Sequence, residues 1–143
     1  PGSWLCHYKY TAKEILSQLK KLNLIPTHFI STIGTGGALI GIGRKLKEEK
    51  KVKIIGLEST IPNSIKGFRS LEKENLPKVY SDNKQIVDQI IPINPKEIKS
   101  FQKQNTSLKF GTSAFADLYA ARELSQNLDK GVIIILIPDG ASL

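Results

Sequence analysis

The sequence has few of the residues that hold small proteins together through covalent or metal chemistry. Among 143 residues there are one cysteine (Cys6), two histidines and no methionine. A single cysteine excludes an internal disulfide framework and fits a reducing compartment, so we predict a cytoplasmic protein. Two histidines and one cysteine also argue against a zinc site of the Cys/His type, and no metal is predicted.

Long apolar runs are also absent. The longest, Val132 to Ile137, has six residues, whereas a membrane helix needs about 20, so no membrane partner is predicted. The formal charge is +8, but the lysines are scattered, as at Lys45, Lys47 and Lys50. Because no aromatic residues alternate with them in a recognisable module, we interpret them as a solvated surface and predict no nucleic-acid partner.

The order of apolar patterns predicts an α/β fold, and a length of 143 residues suits one compact domain or a large piece of one. Helical and strand patterns alternate along the chain. The predicted helices are 11–22, 38–50, one starting at Pro95, and 113–128, and the predicted strands are 28–33, 52–57, 89–93 and 132–137. The helix at Pro95 has the clearest start, because Asn94 can cap it, proline suits the first helical position and Glu97 follows.

The apolar run at 132–137 is typical of a central parallel strand that helices cover on both faces. We therefore predict an open, mostly parallel sheet with helices on both faces. Ligands of such folds bind at the carboxyl ends of the strands. This rule directs attention to Gly34–Ala38, to Glu58 and to Pro138–Gly140.

The strongest local feature is the segment Gly34-Thr35-Gly36-Gly37-Ala38, between a predicted strand and a predicted helix. Glycines let the backbone approach a ligand and turn its amides toward it. The start of the following helix adds positive potential, so the segment predicts a phosphate site. The alternative is that the glycines only form a tight turn.

A dinucleotide is one candidate for the phosphate. Gly34-x-Gly36 follows a strand, and Glu58 lies at the end of the next strand, as in the dinucleotide fingerprint. The third glycine of that fingerprint would fall at position 39, which is leucine.

Pyridoxal phosphate is the other candidate. The segments His7-x-x-x-Thr11-x-x-Glu14-Ile15-x-x-Gln18, Phe29-Ile30 before Gly34-Thr35-Gly36-Gly37, and Gly56-Leu57-Glu58 resemble the cysteine synthase family. These are fold-type II pyridoxal-phosphate enzymes, related to cystathionine β-synthase. The resemblance implies that Gly34, Thr35, Gly36, Gly37 and Ala38 bind the cofactor phosphate. The family has threonine where Ala38 stands, so one hydroxyl contact is lost.

Two further segments extend the resemblance. Phe110-Gly111-Thr112-Ser113-Ala114 is similar to a Gly-x-Ser segment whose serine meets the pyridine nitrogen, which implies that role for Ser113. A neutral hydroxyl suits β-elimination and β-replacement more than transamination. The alternative is that Thr112 or Ser113 only caps a helix, and Phe115 replaces the family's usual glycine. Leu136-Ile137-Pro138-Asp139-Gly140 resembles the segment that closes the family's last core strand.

Residues 64–80 bear on the substrate. Ser64-Ile65-x-Gly67-Phe68-Arg69, followed by Leu76-Pro77-x-Val79-Tyr80, resembles the cysteine synthases that accept O-phosphoserine. The resemblance implies that Arg69 contacts the substrate phosphate, and a guanidinium group suits a phosphate dianion. A surface arginine is the alternative.

The resemblance covers most of this chain but only about half of the family's catalytic core. It implies that residues 1–143 are the C-terminal half of that pyridoxal-phosphate-binding core, and that this half is incomplete. The Schiff-base lysine is expected upstream, and no catalytic residue is assigned to this chain. We therefore expect a fragment, a split chain or part of a longer protein, inactive alone. The expected reaction is β-replacement that forms L-cysteine from O-phosphoserine or O-acetylserine and sulfide, in a homodimer. The alternatives are cystathionine β-synthase or another fold-type II lyase, an NAD(P)-binding Rossmann domain, and a non-catalytic α/β module.

Overall fold

The computed structural model describes residues 2–65, 67–71 and 76–137. Four strands form one sheet in the order β3-β2-β1-β4, and every neighbouring pair is parallel. The strands are β1 (His28–Thr32), β2 (Lys53–Ser59), β3 (Gln89–Ile93) and β4 (Ile133–Ile135). The predicted α/β class and the parallel sheet are confirmed.

The helices follow the predicted order with shifted ends. They are α1 (Gly2–Cys6), a π-helical turn (His7–Thr11), α2 (Ala12–Leu22), α3 (Gly37–Glu49), α4 (Lys78–Asp82), a 3-10 turn (Lys84–Ile86), α5 (Pro95–Gln104) and α6 (Thr112–Ser125). The helical segment before β1 begins earlier than predicted. The sequence analysis missed α4 and the 3-10 turn, because both are shorter than the window in which apolar periodicity can be recognised.

Strand alternation divides the core into two layers. Phe29 and Ile54 point to the face covered by α2 and α3, where they pack with Leu39, Ile42 and Leu46. Ile30, Ile55 and Leu57 point to the opposite face, covered by α5 and α6. Because successive strand residues face opposite sides, two adjacent apolar residues serve two different layers. The helices therefore cover both faces of the sheet, as predicted.

The prediction of a central strand at 132–137 is wrong for the sheet that the described residues form. Strand β4 pairs only with β1 and lies at the edge, and the side chains of Ile133–Ile135 are only half-buried. They line an apolar groove of about 700 Å³ together with Ile15 and Leu22 of α2. Six consecutive apolar residues predict a strand whose two faces are buried, but they do not specify how many strands pair with it.

The predicted cap of α5 is confirmed. Asn94 precedes the helix, its side-chain oxygen accepts a hydrogen bond from the Lys96 amide at 2.9 Å, and Pro95 occupies the first helical position. We expect Asn94→Ala to lower the free energy of unfolding by about 1 kcal/mol, because the Lys96 amide loses its acceptor. Urea unfolding followed by circular dichroism measures this change. Asn94→Asp keeps an acceptor and is the matched control; equal losses in both variants would contradict the capping role.

Within the described residues, no helix combines the length and the apolar character that crossing a bilayer requires.

Candidate functional site

The glycine-rich segment forms the connection from β1 to α3. Gly36 adopts φ 91° and ψ −7°, a left-handed conformation that favours glycine. A Cβ atom at this position would also lie 3.2 Å from the Tyr80 backbone nitrogen. The first helical hydrogen bond runs from the Ile40 amide to the Gly36 carbonyl at 3.0 Å. The amides of residues 37–39 therefore have no acceptor within the helix and can serve an anion.

One of these amides has an internal partner. The Gly37 amide donates to the Thr35 hydroxyl at 3.1 Å. Gly37 itself is buried, and this hydrogen bond stabilises the turn. The amides of Ala38 and Leu39 remain at the start of the 13-residue helix α3, where the positive end of the helix dipole favours a negative charge.

A second segment holds this loop in place. The Arg69 amide donates to the Ile33 carbonyl at 2.9 Å, and Arg69 Nε donates to the Gly34 carbonyl at 2.7 Å. Gly34 and Gly67 approach so closely that a Cβ atom on Gly34 would lie 3.2 Å from the Gly67 oxygen. Arg69 therefore binds two successive carbonyl groups, those of Ile33 and Gly34, at the start of the loop.

The loop closes one side of a cavity of about 150 Å³ at the carboxyl end of β1. Four of the predicted phosphate-binding residues line this cavity: Gly34, Thr35, Gly36 and Ala38. Ser113, from the start of α6, lines it as well. The structure therefore brings the predicted glycine segment and the predicted ring-nitrogen serine together, although they are far apart in the sequence.

The capping alternative for the start of α6 does not fit the structure. The helix begins at Thr112, Gly111 occupies the N-cap position, and no side chain there forms a capping hydrogen bond. Ser113 instead lies in the first turn and lines the cavity. Its hydroxyl group is therefore available to a ligand.

Arg69 does not line the small cavity. It lines a neighbouring cleft of about 510 Å³, which shares Gly34, Thr35 and Gly67 with the cavity. The two spaces are contiguous along the loop. A ligand whose phosphate lies in the cavity would extend its remaining part toward the cleft, where the half-buried guanidinium of Arg69 lies.

The sequence analysis missed Asp117. This residue is 3% exposed, lines the cavity, and accepts a hydrogen bond from the Thr32 amide at 2.8 Å. Burial raises the pKa of the Asp117 carboxyl well above its usual range, and the Thr32 amide offsets only part of this effect. The available signal was its spacing: Asp117 follows Ser113 by one helical turn, which places both residues on the same face of α6.

Other polar residues lie outside the cavity. Glu58 uses its carboxylate to accept a hydrogen bond from the Leu71 amide at 3.0 Å. His7 contacts Thr11 through Nδ1 at 3.1 Å, and burial lowers its pKa. His28 contacts Thr27 at 2.8 Å. Both histidines have local partners, as expected of fold-supporting side chains. The predicted ligand segment Pro138–Gly140 lies outside the described residues.

The residues of the cavity fit the phosphate end of pyridoxal phosphate. Gly36 lines the cavity with backbone atoms only, the start of α3 offers amides, and Ser113 offers a neutral hydroxyl group. The cavity alone is smaller than the several hundred Å³ typical of a complete ligand site. Among the described residues, no three His, Cys, Asp or Glu side chains are grouped as metal ligands.

The dinucleotide alternative lacks its expected contacts. Leu39, at the position of the third fingerprint glycine, is buried in the core and packs toward Gly56. Glu58, the residue expected to hold a ribose, already binds the Leu71 amide. These contacts give residues 39 and 58 structural roles in this fold.

Comparison with known proteins bears on the family of this chain. A family model described as pyridoxal-phosphate dependent enzyme matches residues 1–139. The cysteine synthase of Aquifex aeolicus is 31% identical over 149 aligned residues, covering 98% of this chain and 44% of that protein. The chain thus spans less than half the length of this relative.

Two solved structures are also similar. A hydrogen sulfide-producing enzyme from Fusobacterium nucleatum is 28% identical, with a TM-score of 0.81, and the match covers 97% of this chain and 50% of that one. An O-acetylserine dependent cystathionine beta-synthase from Helicobacter pylori is 26% identical, with a TM-score of 0.79, covering 97% and 47%. The suspected resemblance is confirmed: the chain belongs to the family of pyridoxal-phosphate dependent enzymes, similar to cysteine synthases and cystathionine β-synthases.

Proposed function

We propose that this chain is the cofactor-phosphate-binding part of a pyridoxal-phosphate dependent β-replacement enzyme that forms L-cysteine from an activated serine and sulfide. One observation supports the assignment most: four residues of the glycine-rich segment (Gly34, Thr35, Gly36 and Ala38) and Ser113 line the same small cavity at the carboxyl end of β1. Both features were expected from independent segments of the sequence. The similarity to the Aquifex aeolicus cysteine synthase supports the same reaction class.

In this proposal each residue has a limited task. Gly34, Thr35, Gly36 and Ala38 hold the cofactor phosphate through backbone amides and the Thr35 hydroxyl. Gly37, also predicted to bind the phosphate, does not line the cavity, and its amide instead donates to Thr35. Ser113 forms a hydrogen bond to the pyridine nitrogen without the negative charge that would keep it protonated. Bound pyridoxal phosphate supplies the electron sink for reactions at the α- and β-carbons of an amino acid. The proton-transferring lysine belongs to a polypeptide segment that this sequence does not match.

Binding of the cofactor fragment tests the proposal directly. Pyridoxine 5′-phosphate lacks the aldehyde that would react with the many surface lysines, so calorimetric titration reports the phosphate and ring contacts alone. We expect saturable binding of this probe to the chain and weaker binding of pyridoxine, which has no phosphate. Binding of NAD but not of pyridoxine 5′-phosphate would favour the dinucleotide alternative, and binding of neither would favour a non-catalytic module.

We further propose O-phosphoserine or O-acetylserine as the substrate, with Arg69 in contact with the phosphate of the former. Arg69 lines the cleft that adjoins the cavity. Its guanidinium group donates to the Gly34 carbonyl through Nε. A guanidinium group can bind a phosphate through two parallel hydrogen bonds and prefers it to a neutral acetyl group.

Arg69→Gln separates these two functions of the arginine. Glutamine removes the charge but keeps an N–H donor for the Gly34 carbonyl. We expect kcat/KM for O-phosphoserine to fall about tenfold or more relative to that for O-acetylserine, because a hydrogen bond to a charged group contributes about 1.5–3 kcal/mol. The assay uses the complete enzyme, meaning this chain with the polypeptide that supplies the lysine.

Equal losses on the two substrates would contradict the leaving-group role and leave Arg69 as a support of the loop. Arg69→Lys is the matched variant, because it keeps the charge but not the planar group with several donors. A cystathionine β-synthase or another fold-type II lyase would be recognised by a preference for homocysteine over sulfide, or by elimination without replacement.

Three further predictions concern the activity of the chain alone, the oligomeric state of the complete enzyme and its location. We expect no turnover by the 143-residue chain alone, since the sequence offers no match to the lysine motif; steady-state assay of the purified chain checks this. A homodimer of the complete enzyme, checked by sedimentation, and a cytoplasmic location are also predicted.

A further inference from the structure

Asp117 is a buried carboxyl group that the proposed function does not use. It is 3% exposed, lines the same cavity as Gly34, Thr35, Gly36 and Ser113, and lies one helical turn beyond Ser113 on the same face of α6. One of its oxygens accepts the Thr32 amide at 2.8 Å. A buried acid therefore forms part of the wall of a cavity that would bind a phosphate dianion.

An ionised carboxylate and a phosphate dianion within one small cavity would repel each other strongly, since the protein interior screens charges poorly. Such a cavity should bind an anion more tightly when the carboxyl group is neutral than when it is ionised. The Thr32 amide is compatible with the neutral form, because the carbonyl oxygen of a protonated carboxyl group still accepts a hydrogen bond while the other oxygen holds the proton.

In the part of the chain that the structure describes, the charged groups on the surrounding elements have other partners or are exposed, and none of them is placed to offset the charge of Asp117. On β1, His28 lies at the far end of the strand and contacts Thr27. On α5, Glu97 accepts a hydrogen bond from Tyr119, and on α6, Arg122 lies over the Phe101 ring. Arg69 binds the Gly34 carbonyl. Lys96, Lys99, Lys103 and Glu123, on α5 and α6, are exposed or half-exposed. Strand β4 and residues 33–38 contain no acidic or basic side chain. Among the described residues, burial and the Thr32 amide are the influences on the pKa of Asp117.

We propose that Asp117 is a proton-holding positioning residue of the cofactor site, so that this chain binds its phosphate ester together with a proton on Asp117. The proton comes from solvent and is taken up whenever Asp117 is ionised before binding. This inference rests on the proposed function, because it takes the cavity as the phosphate site. It assigns a role to a residue that neither the family resemblance nor the glycine motif indicated.

Proton uptake is measurable without any enzyme activity. Pyridoxine 5′-phosphate is titrated into the chain by calorimetry in buffers of different ionisation enthalpy, between about pH 5 and about pH 9. We expect the affinity of the wild-type chain to decline above the titration of Asp117, approaching about tenfold for each pH unit. The phosphate itself titrates near pH 6, so each profile is compared with that of Asp117→Asn, which lacks the carboxyl proton but keeps the same shape.

Asp117→Asn is expected to bind as the wild type does at acid pH and more tightly at alkaline pH, without the extra proton uptake. Asp129→Asn removes an exposed carboxylate and serves as the control that retains the wild-type profile. Identical pH profiles for wild type and Asp117→Asn would overturn the inference while leaving the proposed function intact. Failure of the wild-type chain to bind the probe at any pH would overturn the proposed function and this inference with it.

The unliganded chain offers a second measurement. Because burial raises the pKa of Asp117 in the folded state, the unfolded carboxyl group loses its proton first as pH rises above about 4. The free energy of unfolding should therefore fall with rising pH until folded Asp117 also ionises, and Asp117→Asn should flatten this dependence. An unchanged dependence in that variant would show that Asp117 does not hold a proton in the folded chain.

Discussion

Phe115→Ala is expected to lower the free energy of unfolding by about 3–5 kcal/mol, the loss typical of a buried phenylalanine. Phe115 is 1% exposed. Its ring packs edge-on against Phe101, with the ring centroids 6.0 Å apart, and against Phe110 at 5.5 Å. Truncation would leave a cavity between α5 and α6 that neighbouring side chains can only partly fill, and it would remove both aromatic contacts.

Urea unfolding of the chain measures this loss, with the slope of the transition as a check that the unfolded state is unchanged. Tyr10→Ala is the matched control, because Tyr10 is also aromatic but 64% exposed, and its loss should stay near 0.5 kcal/mol or below. A loss below about 1 kcal/mol for Phe115→Ala would contradict its place in the core.

Phe115 also explains the departure from the family pattern at this position. The resemblance predicts glycine at position 115, two residues after the ring-nitrogen serine, and the bulky phenylalanine departs from that pattern. In the structure, Phe115 points into the core beside Phe101, whereas Ser113 and Asp117 line the cavity. Residues two apart on a helix face different directions, so the phenylalanine side chain does not line the cavity.

The fold was predictable from sequence to the extent that its signals are local. Asn94, Pro95 and Glu97 define the start of α5 within four residues, and the alternation of apolar strands with amphipathic helices predicts the parallel sheet. The position of β4 was not predictable in this way. Strand order depends on which chain segments pair across the sheet, and Val132–Ile137 has the same composition at an edge as in the centre.

The same distinction between local and long-range signals applies to the site residues. The glycine spacing at 34–37 indicates a phosphate loop, because the chemistry and the residues are contiguous. Asp117 gave no comparable signal: an aspartate in a helix is usually exposed, and its burial and its hydrogen bond with the Thr32 amide arise only when α6 packs against β1. The contact of Tyr80 with Gly36 was equally hidden, since Tyr80 belongs to α4, a helix too short to predict.

The second large effect concerns Gly36. We expect Gly36→Ala to weaken binding of pyridoxine 5′-phosphate roughly 5- to 150-fold, because an alanine at φ 91° costs about 1–3 kcal/mol of backbone strain. The free loop can relieve that strain by rotating its peptide groups, whereas the bound loop must restore the original conformation. The added Cβ would also lie 3.2 Å from both the Cβ and the backbone nitrogen of Tyr80, which limits any partial adjustment.

Asn23→Ala is the control that introduces backbone strain away from the site that binds pyridoxine 5′-phosphate. Asn23 ends α2 at φ 58° and ψ 41°, is exposed, and does not line the cavity, so its replacement by alanine adds left-handed strain away from the ligand. We expect it to lower the free energy of unfolding while leaving the affinity for the probe unchanged. Calorimetric titration of both variants at one pH makes the comparison. Wild-type affinity in Gly36→Ala would mean that the amides between residues 36 and 39 do not hold the phosphate, because the backbone that orients them would have changed without effect.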